Sequence, residues 1–209
     1  MEASPVTFAL IFSAGFISMS AFRRPELLEK LLFWPYVMQQ DKSWYRFISS
    51  GFVHGSWSHL LVNLWVLWVF GTYVEQAFNF YFGTAGSILY AFMYLSAIPI
   101  SEIYSYKKNL ENPKYRSLGA SGAIAAVLFS FIIIEPLQGI GIIFIPVYIP
   151  AFLFGILYLL YSYVMAKKNI DNVGHDVHFF GALYGVIFTI LARPAFIGEF
   201  IDKLTGYIG

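Results

Sequence analysis

Charged residues leave six long gaps in this chain, at 3–22, 47–74, 76–101, 117–134, 136–166 and 177–192. A helix that crosses a hydrocarbon core needs about 20 mostly apolar residues, and about 17 at the least. Five gaps satisfy that length, and the last, at 16 residues, must use its polar edges. Closed barrels alternate apolar and polar positions with period two, whereas runs such as Ala151 to Leu160 show no alternation. The pattern therefore predicts an all-α membrane protein: one domain over 1–209, with six transmembrane helices at approximately 5–22, 56–75, 81–102, 119–135, 147–166 and 175–193.

The connections carry their own patterns. Glu26 to Trp34 mixes charges with a strong apolar face, as a helix lying in the membrane interface requires, so the first loop, about 23–57, is expected to rest on the bilayer. The third loop, Ser105 to Arg116, sets Lys107, Lys108, Lys114 and Arg116 around Asn112-Pro113 and reads as a solvated turn. The fifth, Lys167 to Asp176, reads the same way. Trp34, Trp44, Trp57, Tyr104 and Tyr115 fall near span ends, at the headgroup level these rings prefer.

Composition narrows the chemistry. The chain is 58% hydrophobic and 12% charged, against about a quarter charged in soluble domains. The absence of cysteine excludes disulfides, thiolate nucleophiles and cysteine-bound metals. A net charge of +1 gives no concentrated basic face for nucleic acid. Met1 to Pro5 has no basic residue, so the first apolar run is expected to be a retained helix and not a cleaved signal.

Polar side chains inside spans are costly and usually face a protein interior or a water-filled cavity. In the second span His59 and Asn63 are four apart and share one helix face; they either bridge helices or aim two donors into one volume. In the fourth, Ser121 lies in Gly119-Ala120-Ser121-Gly122 at a helix start, beside unpaired backbone N–H groups. A glycine-flanked serine is either a packing motif or a nucleophile beside an oxyanion site; the G-x-S-x-G elbow of soluble hydrolases is absent, since Ala123 replaces its last glycine. In the sixth, His178 precedes Gly181 and Gly185 on one side of the helix. A glycine stripe pressed against Gly119 and Gly122 would bring His178 to Ser121 as a general base. His175 and Asp176 read as solvated loop. Zinc on His54, His59, His175 and His178 lacks a third firm ligand at suitable spacing and any H-E-x-x-H, so no metal or other cofactor is expected.

Taken in order, these motifs resemble the rhomboid intramembrane proteases over the whole six-span core. Tyr45-Arg46 resembles the first-loop W-R motif, and His54, His59 and Asn63 the H-x4-H-x3-N pattern. Gly71 to Glu75 resembles G-x3-E, Gly119 to Gly122 the G-x-S-G motif, and His178 to Gly185 H-x2-G-x3-G. The resemblance implies a serine endopeptidase in which Ser121 is nucleophile and His178 general base. It also implies an oxyanion hole from His59, Asn63 and the Ser121 N–H, with Arg46, His54, Glu75, Gly119, Gly122, Gly181 and Gly185 as supports. The implied partners are the lipid bilayer and membrane-protein substrates with a helix-destabilised transmembrane segment; the implied setting is the bacterial cell (inner) membrane.

Two positions depart from the pattern. Tyr45 stands for the loop tryptophan, with Trp44 one residue earlier, which predicts a shifted anchor. Ala125 stands where many members place a ring beneath the histidine, so that ring is absent or supplied from elsewhere. The first, third and fifth loops hold Arg23, Arg24, Lys30, Lys42, Arg46, Lys107, Lys108, Lys114, Arg116, Lys167 and Lys168. The positive-inside rule puts these loops in the cytoplasm, and the bacterial rhomboid arrangement puts them outside. Two other functions fit the composition: a rhomboid-like pseudoprotease that binds or recruits membrane clients without cleavage, and a small transporter. The transporter reading lacks the repeated halves such proteins often have.

Overall fold

The computed structural model describes residues 4–142, 145–168 and 173–208. Helix α1 spans Pro5–Phe22, and the first loop folds into α2 (Pro25–Leu31), α3 (Pro35–Asp41) and α4 (Arg46–Ser49). Proline opens the first three, where its missing N–H would have had no acceptor anyway. Helix α5 (Trp57–Val66) passes through a π-helical turn, Leu67–Gly71, into α6 (Thr72–Phe82), making one 26-residue span. Then come α7 (Ala85–Lys108), α8 (Ser121–Ile134), an antiparallel hairpin of β1 (Gly139–Ile142) and β2 (Ile145–Pro150), α9 (Ala151–Lys168), α10 (His175–Ala192) and α11 (Ala195–Ile208). The chain is a helical membrane bundle, with five helices long and apolar enough to cross a membrane.

The expected fourth span is the exception. Helix α8 has 14 residues, or about 21 Å of rise against a hydrocarbon core of about 30 Å. It lies at the centre of the bundle, touching α5, α6, α7, α9, α10 and α11, and all its residues except Ser121 and Ile133 are buried. A helix surrounded by protein has no need to match the lipid. The chain entering it therefore descends into the bundle, which irregular backbone does only where protein or a cavity surrounds it. The second and third spans also end later than expected, at Phe82 and Lys108. The hairpin and α11 had no counterpart in the periodicity.

Helix α10 crosses α8 in four-residue steps. A Cβ on Gly181 would collide with the Gly122 carbonyl, and one on Gly185 with that of Ala126. One turn further, Thr189 donates its hydroxyl proton to Ser130 Oγ or the Gly185 carbonyl, each 2.7 Å away. The glycine stripe thus meets Gly122 and Ala126, where Gly119 and Gly122 were expected, because Gly119 lies ahead of the helix.

Two further ties hold α1. The buried Glu75 carboxylate accepts from Val6 N (3.0 Å), Thr7 N (2.8 Å), Thr7 Oγ1 (2.8 Å) and Ser87 Oγ (3.0 Å), filling the acceptor role that the first turn of α1 lacks. At the other end Ser18 donates to the Phe52 carbonyl at 3.0 Å, so His54 Nδ1–H is the donor in its 2.9 Å bond to Ser18 Oγ. Burial, with a smaller contribution from His59, pushes His54 down from 6.5 to about 3.

Two outcomes follow. Between pH 6.5 and about 3 the unfolded chain binds the His54 proton and the folded chain does not. Stability therefore falls as pH falls through that window, at up to about 1.4 kcal/mol per unit; His54→Gln flattens this slope in unfolding curves recorded in detergent across that range. Gly185→Ala forces α10 off α8 and costs about 1–3 kcal/mol in the same assay.

Candidate active site

Ser121 is set by the strand-like approach to α8. Phe33 and Ser117 exchange backbone hydrogen bonds at 2.9 and 3.0 Å, and the Gly119 N–H donates to the Ser50 carbonyl at 2.9 Å. Gly119 has φ +113°, a conformation open to glycine. A Cβ there would sit 2.7 Å from His59 Cε1 and 2.8 Å from Nε2, so this position also makes room for the imidazole. Ser121 then begins α8, with a backbone N–H that has no intrahelical acceptor.

His59 and Asn63 approach from α5. Ser56 caps that helix by accepting from His59 N at 3.2 Å, which orients the first turn toward Gly119. Asn63 follows one turn later, its Nδ2 3.7 Å from the same point above Gly119. That amide nitrogen is buried and makes no hydrogen bond among the described residues. Two side chains able to donate thus converge two residues ahead of Ser121.

His178 lies in the first turn of α10, three residues before the Gly181 contact with Gly122. Its ring stacks on Tyr158 of α9, with centroids 6.3 Å apart and planes at 27°. Tyr158 is itself held by Phe129 and Phe154, at 5.6 and 6.0 Å. The ring missing at Ala125 therefore comes from the neighbouring helix, while Ala125 is buried as a small residue in α8. No hydrogen bond joins Ser121 to His178 among the described residues; what unites them is a cavity of 1040 Å³ lined by Ser121, His178, His59 and Asn63.

Loops that looked solvated form part of its wall. His175 and Asp176 are 4% and 9% exposed and line the cavity. Helix α10 starts at His175, so its first turn is tucked beneath the third loop, and Asp176 meets Lys108 at 4.0 Å. The third loop is likewise shorter than expected, since α7 runs to Lys108 and buries Ser105. Sequence reasoning missed Glu102, whose placement at the edge of a span hid an acidic side chain in the bundle. The rule that charge inside a span marks function would have found it.

The supports sit further out. Arg46 is buried and donates to the carbonyls of Glu29 (2.7 Å) and Leu32 (2.9 Å) and to Ser43 Oγ (2.9 Å), fixing the first-loop helices. Trp44 packs on Tyr106 of α7 at 5.9 Å while the Tyr45 hydroxyl donates to Lys30 O at 3.1 Å. The tryptophan displaced by one residue thus anchors the loop. Glu75 lies away from the cavity, at the start of α1. Among the described residues no group of three or more His, Asp or Glu side chains could hold a metal ion.

Comparison with known proteins accords with this arrangement. Residues 41–195 match the sequence model of the Rhomboid domain. The chain is 33% identical over 147 residues to the presenilin-associated rhomboid-like protein, mitochondrial, of Rattus norvegicus, and 32% identical over 147 residues to that of Homo sapiens. Each alignment covers 66% of this chain and 35% of the relative, so the chain spans about a third of the length of these relatives. A shorter match of 41 residues, 39% identical, links 20% of the chain to 15% of the Rhomboid-like protein 11, chloroplastic, of Arabidopsis thaliana. Ordered motifs, a central short helix and a family match over most of its length establish that this multi-pass membrane protein belongs to the rhomboid family.

Proposed function

We propose that the chain is an intramembrane serine endopeptidase that cleaves membrane proteins within a helix-destabilised transmembrane segment. The observation that carries this reading is the shared cavity of Ser121, His178, His59 and Asn63 at the start of the short α8. Peptide hydrolysis inside a bilayer needs water, an activated nucleophile and a place for negative charge, and an open cavity with polar side chains in its wall supports the first. His178 takes the Ser121 hydroxyl proton as Oγ attacks the scissile carbonyl, then returns it to the leaving amine. Water, activated by the same ring, releases the acyl group. His59, the Asn63 amide and the Ser121 N–H stabilise the oxyanion. The mechanism needs no third, acidic member: the Tyr158 ring, stacked on His178, holds the imidazole plane.

A client-binding pseudoprotease of the same fold is the alternative. Retention of Ser121, His178, His59 and Asn63 in one cavity favours the enzyme. The relatives' names place them in mitochondria and a chloroplast, which does not fit the bacterial inner membrane implied by the resemblance.

A fluorophosphonate probe tests the reading without a substrate. The purified protein in liposomes becomes labelled at Ser121, located by mass spectrometry, and Ser121→Ala and His178→Ala stay unlabelled. His59→Ala or Asn63→Ala slows labelling about a hundredfold. Folded parent protein that stays unlabelled beside an active rhomboid protease overturns the proposal in favour of client binding. Tyr158→Phe labels like the parent, whereas Tyr158→Ala loses about tenfold in labelling rate, the worth of one aromatic stack.

A further inference from the structure

The cavity wall holds two acidic groups that the proposed chemistry does not use, Asp176, which faces Lys108 at 4.0 Å, and Glu102. Glu102 on α7 is 4% exposed. Its Oε1 accepts from Ser117 Oγ at 2.9 Å, and its Oε2 is buried with no hydrogen-bond partner among the described residues. Glu102 lines the same cavity as Ser121. It is also adjacent in the chain to Ser101, whose hydroxyl a Cβ on Gly122 would strike, so this turn of α7 packs directly beside the nucleophile.

A buried carboxylate without a compensating partner is costly. Among the described residues Glu102 makes no ion pair: Lys108 faces Asp176 at 4.0 Å, and Arg116 faces Glu29 at 3.5 Å while lying over the Trp34 ring. Two hydroxyls near Glu102 are also unspent. Ser105 Oγ, one turn along α7, and Tyr115 OH are buried without a well-formed hydrogen bond. Burial and the Glu102 carboxylate hold the Tyr115 phenol above its usual range. Glu102 and Tyr115 both lie in the cavity wall, and acceptors of this kind are matched by a ligand that brings several N–H donors and a positive charge.

We propose that Glu102, with Tyr115, forms a subsite that receives a cationic substrate side chain, arginine or lysine, beside the scissile bond. The inference rests on the protease reading above and makes Glu102 a specificity-determining residue. The side chain's donors reach Oε2 and the Tyr115 hydroxyl, and its charge replaces the partner the carboxylate lacks.

The test uses single-span peptides in nanodiscs, each with a glycine-rich stretch in which successive positions are arginine, glutamine, norleucine or glutamate. At one position relative to the cut, the parent favours arginine over norleucine about tenfold or more in kcat/KM, the factor for a hydrogen bond to a charged group. In the isosteric Glu102→Gln the ratio falls to near one, and in Glu102→Lys it turns toward glutamate. A parent ratio near one, or one unchanged in Glu102→Gln, overturns the subsite. If the parent cuts no peptide, the protease reading fails separately, and the subsite is read from equilibrium binding of the fluorescent peptides to Ser121→Ala. There arginine binds about tenfold tighter than norleucine; equal affinity sinks the proposal, and so does a preference that survives the added Glu102→Gln change.

Discussion

Everything at the site depends on how closely α10 can approach α8. At Gly181 and Gly185 the absence of a Cβ lets α10 lie on the carbonyl edge of α8, at Gly122 and Ala126. Without a hydrophobic driving force between helices in lipid, such close contact is a main source of association. It also shapes the candidate site: with that register in place, His178 lines the cavity that holds Ser121. The Thr189–Ser130 bond extends the same ladder and makes a slip of register unfavourable.

The short central helix has a second consequence. Because neighbouring helices surround α8, polar groups can gather at its N-terminus without meeting lipid. The first loop serves this arrangement from outside. Arg46 ties its backbone together, and the Phe33–Ser117 pairing clamps the chain that leads to Gly119. Two structural demands meet at Gly119, where positive φ and the His59 ring both require the missing side chain.

Departures from the family pattern are compensated by neighbours in space. Trp44 does the anchoring expected of position 45 by reaching Tyr106, and Tyr158 provides the ring that position 125 lacks. Neither compensation follows a periodicity along the chain, since each joins residues on different elements. The burial of His175 and Asp176 was hidden for the same reason: by composition they belong to a loop, and contacts from other elements, Tyr161 of α9 on His175 and Lys108 of α7 beside Asp176, help remove them from water.

The sequence by itself determined the solvent, the helical class and most of the spans, and it singled out Ser121, His178, His59 and Asn63 as candidates, which the structure brings to one cavity. Those follow from local quantities: apolar run length, glycine spacing, and polar residues in segments where lipid forbids them. Only the tertiary structure decided that α8 stops short of a full span, that Gly185 meets Ala126, that Tyr158 stacks on His178 and that Glu102 opens into the cavity. These are relations between helices, set by which faces pack, and a hydropathy pattern records that a residue is apolar or charged but not which neighbour it meets.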